Sequence, residues 1–220
     1  MKENNNVDVV LIVGSGEDFK LEKVKDAVSQ AQLIIAGDGG ANILSKIGIS
    51  PDILIGDMDS ISSDILGKIS DGCEIFKYPQ EKDYSDSELC IKKALEYHPR
   101  KIILVAVTGT YIDHTFTNLI NLLTIKNDDV KIEIVTSNSS IFSITPDKPA
   151  KMCGMKGRRF SFFPFEPISG LVMSGFYYKF SGNKLNQWQY SLSNVINEDN
   201  ALLGFESGRG IGILFDENYS

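Results

Sequence analysis

Leu33-Ile34-Ile35-Ala36-Gly37-Asp38-Gly39-Gly40-Ala41-Asn42 is the stretch on which the fold turns. Four apolar residues in a row suit a strand buried on both faces, the glycines suit a tight turn, and the amphipathic run 41–47 suits a helix. Such a turn leaves backbone N–H groups at a helix N-terminus, where they can hold an anion. It can equally present Asp38 to a ligand, or close as a plain turn with Asp38 as the N-cap. Outward from this point the same grammar recurs. Apolar runs at 7–13, 53–55, 102–107 and 132–135 read as buried strands and 74–78 as another, while 17–30, 64–69, 87–97 and 116–126 read as helices. Ser85-Asp86-Ser87-Glu88 fits the S-x-x-E capping box that opens a helix. This alternation predicts a three-layer α/β domain with a parallel sheet.

After about Thr145 the pattern changes. Pro146, Pro149, Gly154 and Gly157 mark a linker, and short aromatic or β-branched runs follow at 159–165, 170–173, 176–180, 190–195, 201–206 and 211–215. A small antiparallel sandwich or barrel is expected there. The predicted organisation is α/β plus all-β, with an α/β domain over 1–145 and this antiparallel β domain over 146–220.

The chain has 220 residues, 42% hydrophobic and 23% charged, a globular composition that excludes disordered and collagen-like classes. Its apolar runs fall well short of the roughly 18 residues of a membrane helix. Residues 1–6 are polar and do not read as a signal peptide, so a cytoplasmic location and no membrane partner are expected. Cys73, Cys90 and Cys153 form neither a disulfide framework nor a zinc pattern, and each is expected to be a buried reduced thiol. The net charge is −7, and residues 37–88 carry all of it: eleven Asp and Glu against four Lys and Arg, with eighteen of each sign elsewhere. Carboxylates presented in this way repel a nucleic-acid backbone. If this region handles polyphosphate, a divalent cation must mediate.

Gly14-Ser15-Gly16 follows the first strand but has Phe19 where a dinucleotide fingerprint needs its third glycine, so it reads as a plain strand-to-helix turn. Gly56-Asp57-Met58-Asp59-Ser60 places two carboxylates at the carboxyl end of a parallel strand, where open α/β sheets bind ligands. Two such charges stay ionised together only if a cation or donors compensate, and Mg²⁺ is the natural cation; a solvated acidic turn reads the same residues blandly. Asp83 and Asp86 precede the next helix, with Lys82 offering a point charge to phosphate. Capping explains Ser85, Asp86 and Glu88 but not Asp83 or Lys82. Thr108-Gly109-Thr110-Tyr111-Ile112-Asp113-His114 again brings glycine and a carboxylate to a strand end. His114 is a candidate acid–base group, against which stands the usual structural histidine, and no G-x-S-x-G elbow accompanies it. Four successive strand ends delivering acid or glycine to one edge describe metal-dependent phosphoryl or nucleotidyl transfer, driven by alignment and charge neutralisation.

In that order and spacing, 37–42, 56–60, Lys82-Asp83 with Asp86, and Gly109 with Asp113-His114 and Asn118 resemble the thiamine pyrophosphokinase family. The likeness continues through 162–164, Ser174-Gly175-Phe176-Tyr177-Tyr178 and Ser191-Leu192-Ser193-Asn194. It implies a three-layer α/β domain over 1–145 followed by an antiparallel β-sandwich domain over 146–220, in a homodimer with active sites between subunits, transferring the β,γ-pyrophosphoryl group of ATP to the thiamine hydroxyl and releasing AMP. By the same match Asp57, Asp59, Asp83 and Asp86 would be the catalytic, Mg²⁺-binding carboxylates. Asp38, Gly39, Asn42, Lys82, Thr108, Gly109, Asp113, His114 and Asn118 would surround ATP. Tyr178, Ser191, Ser193 and Asn194 would hold thiamine, Tyr178 by stacking on the cationic ring. One departure stands out: the family commonly reads Gly-Gly-Arg where this chain has Gly109-Thr110-Tyr111, so Lys82, Arg209 or another base would have to replace a guanidinium. A DxD-type metal-dependent glycosyl or nucleotidyl transferase and a non-catalytic thiamine or nucleotide binder are the other readings.

Overall fold

The structure, a computed structural model, describes residues 7–218 apart from 68, 70, 71, 80, 82, 110 and 126–129. The chain forms two compact units, Met1–Asn121 with Asp129–Ser137, and Leu122–Asp128 with Asn138–Ser220. The elements up to the end of the first unit are β1 (Val9–Val13), α1 (Leu21–Gln30), β2 (Leu33–Gly37), α2 (Gly40–Ser45), β3 (Ile53–Gly56), α3 (Ser63–Leu66), β4 (Glu74–Lys77), α4 (Asp86–Leu95), β5 (Lys101–Val105), α5 (Ile112–Thr124) and β6 (Lys131–Val135). The strands lie in the order β6-β5-β1-β2-β3-β4, and every neighbouring pair is parallel. Burial on both faces explains the unbroken apolar runs: Leu11, Val13, Ala36, Leu54 and Ile103 pack against Val24 and Ala27 of α1 and Leu44 of α2. From β1 the chain winds outward to β4, then returns to β5 on the other side of β1. The winding therefore reverses between β1 and β5, and a crevice opens at the carboxyl ends of the strands there.

The second unit contains β7 (Ser139–Ile144), β8 (Ala150–Cys153), β9 (Arg158–Pro164), β10 (Ile168–Ser169), β11 (Val172–Ser174), β12 (Lys184–Leu185), β13 (Ser191–Val195), β14 (Asn200–Gly204) and β15 (Gly210–Asn218). Antiparallel sheets β13-β9-β15-β7 and β11-β14-β8 face each other, with β10 and β12 paired beside them. Phe160, Phe162 and Leu214 from one sheet meet Met152, Ala201 and Leu203 from the other, so aromatic and branched residues fill a sandwich core. Parallel α/β followed by antiparallel β is the class the sequence predicts.

Several local expectations change. Helix α1 starts at Leu21 rather than 17, because the Gly14, Gly16 and Asp18 amides extend the β1–β5 pairing instead of entering a helix. Helix α5 starts at Ile112, which places Asp113 and His114 in its first turn. The run expected as a strand over 176–180 reduces to a single bridge between Phe176 and Ile196 and a Tyr177 N–H to Val195 carbonyl bond. Of the three cysteines, which form no disulfide, only Cys90 is buried; Cys73 is half-buried and Cys153 exposed. Strand β8 alternates, turning Ala150 and Met152 inward and therefore Lys151 and Cys153 outward. Among the described residues, no helix is long and apolar enough to cross a membrane.

Candidate functional site

At the winding reversal the first unit holds a cleft of about 640 Å³, lined by the ends of β1, β2, β3 and β5 and the first turns of α4 and α5. Three of the residues leaving those strands have left-handed backbones: Asp38 (φ 42°), Met58 (φ 71°) and Ala106 (φ 54°). Non-glycine residues adopt this region at a cost of about 1 kcal/mol or more, and it clusters where side chains must be aimed. The Asp38 N–H donates to the Ile55 carbonyl at 2.8 Å, holding the turn against β3. Gly40 lets α2 abut the end of β1: a Cβ there would lie 2.0 Å from the Val13 carbonyl oxygen. The Ala41 and Asn42 amides are taken by the Asp38 carbonyl (3.2 Å) and the Gly39 carbonyl (3.0 Å), and the N-cap, Gly39, has no side-chain cap. The turn thus neither offers those amides to an anion nor uses Asp38 as a cap. It delivers the Asp38 carboxylate to the cleft.

There Asp38, Asp57 and Asp59 bring carboxylate oxygens within 4.8 Å of one another. Asp38 is 6% exposed, and its Oδ1 is buried without a hydrogen-bond partner. Burial raises the Asp38 pKa above the ordinary carboxylate value; a Ser60 side-chain hydrogen bond opposes this, and the charges of Asp57, Asp86 and Asp59 push it further up. The other two carboxylates shape the turn itself, Asp57 Oδ1 accepting the Asp59 N–H at 3.2 Å and Asp59 Oδ1 accepting the Ser60 hydroxyl at 3.0 Å. Hard oxygen donors, a buried oxygen lacking a partner and mutual repulsion fit a divalent cation of the Mg²⁺ type. Glu17, Asp86 and Asp113 add three more acids to the lining, whereas among its described residues there is no Lys or Arg and the one basic side chain is His114.

The family model for the thiamin pyrophosphokinase catalytic domain matches residues 24–134, half of the chain and the span that carries most of these carboxylates. This chain belongs to the thiamin pyrophosphokinase family. Thiamine pyrophosphokinase of Bacillus subtilis is 28% identical over 209 residues, covering 92% of this chain and 95% of that protein. The solved structure of the Bacillus subtilis thiamine pyrophosphokinase shares the fold with a TM-score of 0.83 at 24% identity, covering 96% of this chain and 100% of that one. The Candida albicans thiamin pyrophosphokinase does so with a TM-score of 0.82 at 17% identity, covering 98% and 91%. The glycosyl- or nucleotidyl-transferase reading of Asp57-Met58-Asp59 is not favoured by this membership.

Against that family background the predicted residues divide. Asp38, Asp57, Asp59, Asp86, Thr108, Gly109, Asp113, His114 and Asn118 line the cleft. Asp83 is exposed and is not among the lining residues, and Lys82 lies outside the described residues. Asn42 stands behind the acidic turn and pins it, its Nδ2 donating to the Ser60 carbonyl (2.8 Å) and its Oδ1 accepting the Ser62 N–H (3.3 Å). Buried Asn118 donates to the Val107 carbonyl at 2.7 Å, and Thr115 Oγ1 accepts the Gly109 N–H at 3.1 Å, so α5 braces the loop after β5. Sequence reasoning missed Ser15, Glu17, Tyr84 and Tyr111 as cleft residues. Their signal was position alone: each follows a strand on the same edge. Tyr84 is held by Lys92, whose ammonium sits 2.9 Å from its ring centroid, and the Tyr111 ring lies 5.7 Å from that of His114.

In the second unit Asn194 joins Tyr178 to Ser191. Asn194, expected to contact thiamine, is fully buried and uses its whole amide internally. Its Oδ1 accepts the Tyr178 N–H (3.0 Å) and Val195 N–H (2.9 Å), and its Nδ2 donates to the Tyr178 carbonyl (2.7 Å) and Ser191 Oγ (3.1 Å). No hydrogen-bonding capacity remains for a ligand, so Asn194 positions Tyr178 instead. Ser193 sits in an irregularity of the β13–β9 ladder with φ 53°, and its N–H donates to Ser161 Oγ at 2.9 Å. Arg209, considered above as a replacement guanidinium, is engaged by the Leu123 carbonyl at 2.5 Å and Glu166 at 3.0 Å.

Proposed function

We propose that this member of the family transfers the β,γ-pyrophosphoryl group of ATP to the hydroxyl of thiamine, giving thiamine diphosphate and AMP, with Mg²⁺ as the required ion. The observation that carries the reading is the cleft between β1 and β5: six carboxylates and no Lys or Arg among its described lining residues, within a chain of this family. A polyphosphate enters such a cleft only as a cation complex. Asp38, Asp57 and Asp59 are the residues to hold the ion, and Asp86 supplies a fourth charge close enough to act on Asp38. Bound there, Mg²⁺ would neutralise charge on the phosphate oxygens during transfer. The chain's own part is positional: α5 fixes Thr108 and Gly109 as one wall, and Asp113 and His114 stand at its rim. Tyr178, 63% exposed beside Tyr177 in an edge-to-face pair, offers a ring face to the thiazolium of thiamine.

The nucleotide and metal roles therefore belong to the first unit and the thiamine role to the second. Tyr177, Tyr178, Trp188, Tyr190 and Leu192 are all more than half exposed, which supports an apolar surface covered in a homodimer. Light scattering should give twice the chain mass; a monomer at micromolar concentration ends the dimer reading. Three cysteines without a disulfide accord with the cytoplasm. The deciding experiment is ³¹P NMR of the protein with ATP, Mg²⁺ and thiamine, beside samples lacking thiamine or containing EDTA. Thiamine diphosphate and AMP are expected only in the complete mixture. Unchanged ATP would point to a binding protein, and ADP or inorganic phosphate would keep the nucleotide site while rejecting the acceptor.

A further inference from the structure

Asp18 has no part in the reaction as described, and it does not line the cleft. It nevertheless sits where the loops leaving three adjacent strands meet. The amides of Gly14, Gly16 and Asp18 donate to the carbonyls of Val105 (3.0 Å), Ala106 (2.6 Å) and Thr108 (3.1 Å), so the chain after β1 runs on beside the chain after β5. Glycine permits the approach, since a Cβ on Gly16 would lie 2.4 Å from the Thr108 carbonyl oxygen. The Asp18 side chain then closes it. Its Oδ2 accepts the Thr108 hydroxyl at 3.4 Å, and its Oδ1 accepts the N–H of Ser137, just past β6, at 3.2 Å. These partners are 90 and 119 residues away in sequence. What Asp18 grips is the strained wall of the cleft: Ala106 is left-handed (φ 54°), and Thr108, 6% exposed, leads into Gly109. Strained backbone persists only where its surroundings hold it.

We infer that Asp18 is a positioning residue, which keeps the 106–109 wall in the shape that receives the nucleotide phosphates. The inference rests on the assignment of this cleft to ATP. A misplacement of about 1 Å in such a wall is enough for a large loss of productive binding. Replacing Asp18 by Ala should raise KM for ATP roughly tenfold or more, leave KM for thiamine within about twofold, and lower kcat less than it raises KM. Asp18→Asn keeps an Oδ1 acceptor for Ser137 N–H and should recover part of the ATP affinity. The readout independent of turnover is calorimetric titration of ATP in Mg²⁺ into wild type, D18A and D18N, each checked for a cooperative melt.

A weaker Kd for ATP in D18A, with D18N between it and wild type, supports the role. An unchanged Kd and KM with only a lower Tm overturns it and leaves Asp18 a fold residue. If D18A does not fold, D18N alone decides by the same two constants, an unchanged pair again overturning the inference. If wild type itself fails to bind ATP while remaining folded, the assignment of the cleft falls first, a result distinct from a wild type that binds and a D18A that binds equally well.

Discussion

Asp38 in the first unit and Asn194 in the second are similar in size and almost equally buried, yet they differ in how much of their hydrogen-bonding capacity is used. Asn194 makes four bonds to its own chain and fixes the backbone on which the exposed Tyr178 is carried. Asp38 keeps Oδ1 without a partner, and its pKa is raised first by burial and then by three further carboxylates, against a Ser60 hydrogen bond that lowers it. The first arrangement is complete as the chain folds and is architecture. The second leaves one buried oxygen unpaired in the folded chain, a cost that the proposed cation would relieve.

The contrast is broken most forcefully in the acidic turn. Asp59→Asn should lower kcat on the order of 10²–10³-fold at saturating Mg²⁺, as expected when several kcal/mol of charge stabilisation are lost. Steady-state kinetics with full turnover would remove Asp59 from the ion's set. Next in size, Asn194→Ala leaves several buried groups without partners and should destabilise the protein by about 2–4 kcal/mol, read by urea melts. A loss below about 1 kcal/mol would mean that Asn194 is not the brace described.

Tyr178→Ala should spare stability and raise KM for thiamine roughly 2- to 30-fold, the range of a cation–π contact. An unmoved KM places thiamine elsewhere. The smallest effect concerns Asp38 in the ion-free protein. Because its folded pKa is raised, the proton it binds favours the fold at low pH, and this contribution is lost as pH rises through that value. Asp38→Asn should therefore flatten the pH dependence of Tm and raise the ion-free Tm near neutrality, by about 2–4 °C for each kcal/mol of repulsion removed. A variant that melts lower than wild type at neutral pH and gains from Mg²⁺ as before would reverse the reading of this residue.

Where the sequence is locally self-consistent, it was legible. The apolar runs of β1, β2, β3, β5 and β6 declare a buried parallel sheet, and the Ser85–Glu88 box forms with both of its bonds, at 3.2 and 2.9 Å. Strand β7 was not legible, because Ser139, Ser140 and Ser143 break up its apolar residues, of which Ile144 and Phe142 pack into the sandwich core and Ile141 is buried on the other face. Strand β8 was hidden between Pro149 and Gly154, which read as a linker. In the site, spacing pointed to Asp57 and Asp59 but grouped them with Asp83 and Asp86, whereas the strand order brings Asp38 of the neighbouring β2 turn into the cluster. The bracing roles of Asp18, which the sequence did not single out, and of Asn194, which it read as a thiamine contact, escaped for a related reason. Their partners are chosen by tertiary placement, and nothing in a local window distinguishes a loop aspartate or a strand asparagine that braces from one that binds.

The alternation of β8 also has a practical consequence. Cys153 is exposed on the second unit, Cys90 is fully buried against the cleft floor and Cys73 is half-buried. A thiol-directed fluorophore added to the folded protein should therefore couple first at Cys153, giving a native attachment point whose emission can follow the sandwich unit without altering a cleft residue.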